Sequence, residues 1–334
     1  MVEQLTLNQR VEGSIPSSPT NAIKVRSRRT LRAQVPVRPV FARARMCDQR
    51  QAQSIVCRVA ALLSALVAVL APASAHPAVG IVVDKAGTDK AGTAFYSDTA
   101  HVWAVARDVA PRIVVRDVHT HDLWLDADGT LHGEHLVYDA GRWSHRVWKR
   151  TAAGAVSDVI AARPGFLSDY HDFGFQRDAR GAFYWIEGAS PARLRVKRGA
   201  SPPETLAELP FTNQSWMTVR ADGTVFVSEN GTAWRVRPGG VPERLPAALS
   251  RSRERLAIMG MAALADGTTY FAAYGDRAVR RLSADGKVET IEVSAPGWAP
   301  TGVAVGPDGT IWVLEVTPDN RQRARQVGAG VQRN

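Results

Sequence analysis

Short apolar and aromatic runs follow a glycine at nearly regular intervals along most of the chain. The glycines are Gly129, Gly181, Gly223, Gly267 and Gly309, separated by 52, 42, 44 and 42 residues. Four of the five follow an aspartate, and each precedes a run rich in β-branched and aromatic residues. Asp-Gly between alternating runs is typical of a tight turn that joins two β-strands. The pattern therefore predicts one strand-turn-strand unit repeated along the chain.

A sixth, less regular copy comes first, with apolar runs at 80–84 and 94–98. Repeats of about 40 to 45 residues built from strands and tight turns are typical of propeller blades. We therefore predict an all-β fold, a six-bladed β-propeller of four-stranded antiparallel blades. The best helical candidate, 245–256, is expected to be a loop or one short helix. Ring closure needs a fourth strand for the last blade, from 328–332 or from residues just after His76.

The first 75 residues are expected to lie outside the propeller. Residues 59–70 are almost entirely Val, Ala and Leu, follow Arg50 and Arg58, and precede Ala73-Ser74-Ala75. A basic start, a short apolar core and a small-x-small end are typical of a signal peptide. We predict a non-native or disordered basic leader at 1–45, a signal peptide at 46–75 cleaved near Ala75, and the propeller at 76–334. The product would be exported, to the periplasm or the medium.

The basic charge of the chain belongs to this leader. Residues 1–75 contain 11 Lys and Arg against 3 Asp and Glu, which leaves 31 against 29 for residues 76–334. The predicted propeller therefore offers no reason to expect a nucleic-acid partner. No later segment is apolar for the roughly 20 residues that a spanning helix needs. Both cysteines, Cys47 and Cys57, precede Ala75, so the exported part needs no disulfide.

A carboxylate ends the second strand of most predicted units. Counting about six residues from each turn glycine places an acid at five of the six positions, with Tyr274 near the sixth. These acids are Asp98, Glu134, Glu187, Glu229 and Glu315. Two interpretations are open. Each acid can accept backbone N–H bonds in the following turn, or the ring can form an acidic channel mouth that binds a cation or a basic ligand.

The histidines suggest a candidate metal site. All eight lie between His76 and His171. His119 and His121 alternate, so both side chains face one side of a strand. With His171 and Glu134 they form the best candidate ligand set for zinc or another divalent ion at a channel mouth. The alternative is that these are ordinary hydrogen-bonded strand histidines.

Other polar and aromatic residues lie near the predicted starts of the innermost strands. Asp172 and Gln214 are candidate ligand-binding residues there, together with Glu229 and Glu315 at the second-strand ends. Trp216 and Trp298 are candidates for stacking against a ligand. The same tryptophans can instead act as wedges between blades.

The last unit, from Trp298 to Glu315, resembles the NHL repeat, and 218–230 and 80–98 resemble it more loosely. Taken together, 80–327 resembles the six-bladed set that contains NHL proteins and the gluconolactonase-like, calcium-dependent lactonases. This resemblance implies the fold, but the set includes enzymes, peptide binders and scaffolds.

The resemblance also implies where a lactonase would hold calcium. Those enzymes use an early-blade Glu with later Asn and Asp residues, commonly in a Pro-Asn-Gly strand start. Here the matching start reads Pro300-Thr301-Gly302, and Asn213 is the one Asn near an innermost-strand start. The oxygen-rich calcium set is therefore not visible, so a hydrolase on this chain would need other ligands.

Two functions are carried forward. The first is an exported NHL-like propeller that binds a small molecule, a peptide or an envelope partner at its channel face. The second is a metal-dependent hydrolase of lactonase type, with zinc, manganese or calcium as cofactor. In that case the histidines hold the metal, and Glu134 or Glu187 acts as general base.

Overall fold

The computed structural model describes residues 77–85, 92–107, 109–139, 142–164, 175–188, 191–211, 214–245 and 248–327. All of them belong to one compact unit, His76–Asn334. They form 23 β-strands and one short 3-10 helix, Tyr274–Asp276. Within these ranges no helix is long and apolar enough to cross a membrane. The sequence analysis expected a loop or one short helix at 245–256. The described part of that segment, 248–256, forms turns and bends without a helix.

The strands make six antiparallel sheets, the blades, in chain order. Blade 1 contains β1 (Ile81–Val83), β2 (Ala94–Ser97), β3 (His101–Ala106) and β4 (Val109–Arg116). Blade 2 contains β5 (Leu123–Leu125), β6 (Leu131–Asp139), β7 (Arg142–Arg150) and β8 (Val156–Pro164). Blade 3 contains β9 (Gln176–Arg177), β10 (Phe183–Glu187), β11 (Ala192–Lys197) and β12 (Glu204–Leu209).

The second half of the ring repeats this order. Blade 4 contains β13 (Gln214–Val219), β14 (Val225–Glu229), β15 (Thr232–Val236) and β16 (Glu243–Arg244). Blade 5 contains β17 (Met261–Ala263), β18 (Thr269–Ala273), β19 (Ala278–Leu282) and β20 (Val288–Val293). Blade 6 contains β21 (Ala299–Val305), β22 (Ile311–Val316) and β23 (Gln322–Gln326). The prediction of a six-bladed all-β propeller is confirmed.

The repeat glycines lie in tight turns, as their spacing predicts. Gly129 has a φ of 79°, a left-handed conformation that favours glycine. Its N–H donates to Asp126 O at 3.0 Å, and Asp128 Oδ1 accepts from Thr130 N at 2.9 Å. Gly223 and the other repeat glycines also have positive φ. These turns lie between the first and second strands, on the face opposite the channel mouth predicted above.

Blade 6 closes the ring by packing against blade 1. One buried apolar cluster joins Ile81 and Tyr96 of blade 1 with Trp312 and Leu314 of blade 6. The described part of blade 6 has three strands, and residues 328–332 lie outside the described ranges. Residues 77–80 lead into β1, the innermost strand of blade 1, so they are not the fourth strand of blade 6.

The innermost strands meet closely around the axis. A Cβ on Gly260 would lie 2.7 Å from Thr301 O, and one on Gly302 would lie 2.3 Å from Val79 O. Gly260 N–H also donates to Thr301 O at 2.7 Å. Glycine is therefore required where neighbouring backbones approach each other this closely.

An apolar cluster lies where these strands begin. Val79 of blade 1, Trp216 of blade 4 and Met259 of blade 5 are all at most 5% exposed and belong to one cluster. We call these three residues the channel plug. The face on which the innermost strands begin and the second strands end is called the channel face. The plug is buried apolar packing just beneath this face.

Candidate functional site

His119 and His121 lie in the connection between β4 and β5, whereas the sequence analysis expected them on a strand. A buried threonine between them holds this connection in place. Thr120 is 0% exposed, and its Oγ1 donates to Glu134 O at 2.5 Å. Its carbonyl accepts from Ser97 Oγ at 2.5 Å. Trp148 Nε1 donates to Glu134 O at 3.0 Å. These bonds join blades 1 and 2 at the channel face and fix the residues on either side of Thr120.

The two flanking residues are also held through their backbones. His119 O accepts from Leu136 N at 3.1 Å. His121 O accepts from Gly80 N at 2.6 Å and from Val79 N at 3.2 Å. The close approach depends on Gly80, whose Cβ would lie 2.8 Å from His121 O. The two histidines are therefore positioned before any ligand arrives.

The side chains of these histidines face each other. Nε2 of His119 lies 3.1 Å from Nε2 of His121. On the other side of the His121 ring, Nδ1 lies 3.5 Å from Glu134 Oε1. His121 is 1% and Glu134 2% exposed, whereas His119 is partly exposed. The structure thus brings together three predicted site residues, with His119 outermost and Glu134 innermost.

The geometry fits part of a metal site. Two imidazole nitrogens 3.1 Å apart are close to the separation of roughly 3.3 Å expected for two ligands of one tetrahedral zinc. A carboxylate beside the far ring nitrogen is a common arrangement for a metal-bound histidine. A catalytic zinc takes three protein ligands, and within the described ranges no group of three or more His, Cys, Asp or Glu has metal-binding geometry. The described residues alone therefore do not make a catalytic zinc centre.

Two of the predicted channel-mouth acids bind local donors. Asp98 Oδ2 accepts from Trp103 Nε1 at 2.7 Å, and its Oδ1 accepts from His101 N at 2.6 Å. Glu229 Oε2 accepts from Trp234 Nε1 at 2.8 Å. In both cases the partner indole lies five positions later, on the third strand of the same blade. The backbone bond of Asp98 fits the local interpretation, whereas the contact of Glu229 is to a side chain of the next strand.

Glu187 and Glu315 are paired with arginines of the third strand. Glu187 Oε2 lies 3.3 Å from Arg195 Nη1. Glu315 is 0% exposed, and its carboxylate accepts from Arg323 Nε and from Arg325 Nε and Nη2, each at 2.9 Å. Burial raises the pKa of Glu315, but the hydrogen bonds and charge of Arg325 outweigh it, so the pKa lies below its ordinary value. These acids stabilise blades and do not present free negative charge at the channel face.

The two candidate tryptophans have different environments. Trp216 is 1% exposed and belongs to the channel plug. Trp298 is partly exposed, and the Arg323 Cζ lies 3.8 Å from its ring centroid, a stacked cation–π contact. Arg323 thereby links Trp298 to Glu315. Of the two, Trp298 is the one that a ligand can reach.

The side chains of three predicted site residues are not described by the structure. His171 and Asp172 lie outside the described residues, so their roles stay predictions. Gln214 begins β13 and is paired through its backbone with Glu229.

The sequence analysis did not identify one buried acid, Asp122. Asp122 is 6% exposed, and burial raises its pKa well above the ordinary value, although a hydrogen bond from Gln176 lowers it. Gln176 belongs to blade 3 and also accepts from Trp124 Nε1 at 3.2 Å. The sequence feature that could have pointed to Asp122 is its position directly after His119-Thr120-His121. Its burial between two blades depends on the packed ring.

Comparison with known proteins supports the fold. No family model matches the sequence, and no curated sequence does. Among solved structures, a protein of unknown function from Bacteroides thetaiotaomicron matches with a TM-score of 0.54 at 15% identity, over 73% of this chain and 68% of that one. The resemblance to six-bladed propellers is confirmed at the level of fold.

Two further solved structures are similar to this chain. An auxiliary nutrient binding protein from Bacteroides thetaiotaomicron matches with a TM-score of 0.54 at 9% identity, over 75% of this chain and 69% of that one. A gluconolactonase from Xanthomonas campestris matches with a TM-score of 0.49 at 12% identity, over 75% of this chain and 87% of that one. Identities this low show the fold alone, so the activity has to be argued from the site.

Proposed function

We propose that the protein is an exported β-propeller that binds a small-molecule or peptide ligand at its channel face, with His119 as the exposed polar contact. The observation that carries this proposal is the prepositioned histidine pair. His119 is partly exposed, while its neighbour His121 and the carboxylate of Glu134 behind it are buried.

Such a pair is suited to recognition. An imidazole nitrogen donates or accepts according to the tautomer, so a partly exposed histidine at this place is chemically suited to a hydroxyl, a carboxylate or a backbone group of a ligand. Because the 119–121 segment is already fixed, binding does not have to order it, which favours affinity. Leu256 and Tyr274, which are partly buried and pack against the channel plug, supply apolar surface on this face, and apolar surface with a few placed polar groups is typical of ligand sites.

The comparisons add limited support. One structural neighbour is named an auxiliary nutrient binding protein, so the propeller fold serves ligand binding in at least one other chain. The sequence of 46–75, with its basic start, short apolar core and Ala73-Ser74-Ala75, supports export. Intact-mass spectrometry of the exported protein tests that part of the proposal. A mass that corresponds to a chain starting at His76 supports it, and a mass that corresponds to a chain starting at Met46 contradicts it.

The test of ligand binding is a His119→Ala substitution. Organic acids, sugars and short peptides are screened by thermal shift, and the affinities of the hits are measured by calorimetry. We expect His119→Ala to weaken binding at least about tenfold, since it removes a ligand contact worth about 1.4 kcal/mol or more. The matched control is His101→Ala, because His101 is also partly exposed and its Nδ1 accepts from Asp117 N at 3.1 Å. Equal affinities in wild type and His119→Ala would contradict the proposal.

A metal-dependent hydrolase of lactonase type is the second candidate. It is favoured by the 3.1 Å separation of the two Nε2 atoms and by Glu134 on the far side of His121. His119 and His121 would hold the ion, which when bound would polarise a carbonyl or activate water. Glu134 is placed to orient His121. Glu187, the other predicted base, is paired with Arg195.

This second candidate is tested by elemental analysis of the full chain purified without chelator. It predicts about one zinc or manganese per chain in wild type and loss of that metal in His121→Ala. The His101→Ala variant keeps its metal in the same measurement. A wild-type protein that contains no metal and takes up none on dialysis against zinc would remove the hydrolase candidate and leave ligand binding.

A further inference from the structure

An arginine-rich loop lies on the channel face between blades 4 and 5. Residues 248–258, here called the arginine loop, connect β16 to β17 and contain Arg251, Arg253 and Arg255. Arg251 and Arg253 are exposed. Because the loop leads into the start of an innermost strand, it lies on the same face as the histidine pair.

The arginine loop is anchored by the hairpins of both neighbouring blades. Leu249 N and Ser250 N donate to Gly231 O at 3.1 and 2.9 Å. Arg251 N donates to Asp276 Oδ2 at 3.0 Å. A Cβ on Gly231 would lie 2.2 Å from the carbonyl oxygen of Ser252. The loop is therefore a fixed element of this face and not a loose connection.

Positive charge dominates this part of the face. Residues 250–258 and 274–280 contain five arginines against two carboxylates. One of those carboxylates, Asp276, already accepts from Arg280 Nη2 at 2.6 Å. Within the described ranges no ion pair joins Arg251 or Arg253 to a carboxylate, and both residues are exposed. The field at this rim therefore attracts anions.

Arg277 adds a cation that is held in place by neutral groups. Its Nε donates to Trp298 O at 3.0 Å, and its Nη2 donates to Ala295 O at 2.7 Å and Ser294 O at 3.2 Å. Carbonyl oxygens position the guanidinium without cancelling its charge. Arg277 is exposed, so its remaining N–H groups can reach a ligand.

The floor beside these arginines is apolar. Leu256 and Tyr274 are partly buried and pack against the channel plug. Leu256 belongs to the arginine loop itself, and Tyr274 begins the 3-10 helix that carries Asp276. A cationic rim thus borders a partly accessible apolar and aromatic floor.

We propose that the arginine loop and Arg277 bind the anionic group of a small ligand, a carboxylate, phosphate or sulfonate, whose apolar body lies on Leu256 and Tyr274. The proposal rests on the proposed function, because it names the ligand class of the same channel face. Guanidinium groups bind such oxyanions in a planar, two-pronged geometry, and the floor accounts for the rest of the molecule.

The test uses anilinonaphthalene sulfonate, a fluorescent aromatic anion, with the full chain. We expect saturable binding to wild type and at least about tenfold weaker binding to Arg251→Ala, Arg253→Ala. The neutral analogue N-phenylnaphthylamine is expected to bind both proteins equally. The control variant, Arg107→Ala, Arg180→Ala, removes the same charge from exposed positions on the opposite face and is expected to bind like wild type.

Competition distinguishes the possible anionic groups. Displacement of the probe by inorganic phosphate favours a phosphate ligand, whereas displacement by benzoate favours an aromatic carboxylate. Equal probe affinity in wild type and the Arg251→Ala, Arg253→Ala variant overturns the anion assignment. A screened ligand that loses affinity in His119→Ala but not in the arginine variant also overturns it, while leaving channel-face binding intact.

Discussion

Replacing Gly302 by alanine is expected to destabilise the propeller by about 3 kcal/mol, at the upper end of the range for overpacking. The added Cβ would lie 2.3 Å from Val79 O and 2.9 Å from Ile81 Cγ2. Val79 cannot move away freely, since its N–H is bonded to His121 O. The strain therefore falls on the contact that closes the ring. Chemical denaturation monitored by tryptophan fluorescence measures the loss.

The matched control for Gly302→Ala is Gly240→Ala. A Cβ on Gly240 would lie 3.4 Å from the nearest atoms of Arg237, an almost ordinary contact on an exposed turn. We expect this variant to change the free energy of unfolding by less than about 0.5 kcal/mol. If Gly302→Ala were equally neutral, the inner strands would not meet as described.

Removing the carboxylate of Glu315 is expected to have the second large effect. Glu315→Ala leaves Arg323 and Arg325 without their buried partner, and breaking a buried pair costs about 3–5 kcal/mol. Their side chains are 38% and 26% exposed, so hydration recovers part of the loss and we expect about 3 kcal/mol. Urea denaturation at neutral pH measures the change.

Glu243 provides the control, because it also contacts two arginines. Its carboxylate lies 2.8 Å from Arg235 and 2.9 Å from Arg237, but its side chain is 46% exposed. Glu243→Ala is therefore expected to cost at most about 1 kcal/mol. A loss for Glu315→Ala as small as for Glu243→Ala would contradict the role assigned to the buried carboxylate.

The lowered pKa of Glu315 predicts how this contribution varies with pH. The contribution of the Glu315 carboxylate to stability is fully present above the ordinary pKa of 4.5. It is lost as the pH falls through the lower pKa of Glu315 in the folded state. Glu315→Gln has no titrating group there, so its stability is expected to fall less steeply than that of wild type below about pH 4.5. Parallel curves for the two proteins would show that this carboxylate does not titrate as stated.

The fold was predictable because its signals are local. An Asp-Gly turn followed by an alternating run marks the first two strands of a blade without reference to any other blade. Gly92, with a φ of 84°, is the counterpart in the irregular first copy. Ring closure was not predictable in the same way. It depends on the contact between Gly302 and Val79, which are far apart in sequence and meet only when the last blade reaches the first.

The candidate site was predictable in part. The alternation of His119 and His121 predicted a shared side of a strand, but both residues lie in the connection between β4 and β5. Their Nε2 atoms face each other because of how that connection is held, not because of strand alternation. The sequence analysis placed Glu134 at the end of a second strand, whereas it lies within β6, Leu131–Asp139. Its position beside His121 depends on the hydrogen bonds that hold the segment before β5 against β6. The contacts of the channel-mouth acids have a simple sequence signal in retrospect. A tryptophan follows Asp98 and Glu229 by five residues, which suits a bond across one hairpin.

The arginine loop shows what sequence alone leaves open. Three alternating arginines in 251–255 are visible in the chain, but a loop of that composition is usually only solvated. Its fixed position comes from the hairpins that carry Gly231 and Gly275. A Cβ added to either glycine would collide with Ser252. That contact requires two complete blades side by side.

The central claim is that ligands bind at the channel face, and hydrogen exchange with and without anilinonaphthalene sulfonate tests it most directly. We expect the probe to slow exchange in 118–122, 248–260 and 294–298, which the structure places on that face. Exchange in the turns at 126–130, 178–182 and 220–224 on the opposite face should not change. Protection confined to those opposite turns, with no change in the channel-face segments, would contradict the account.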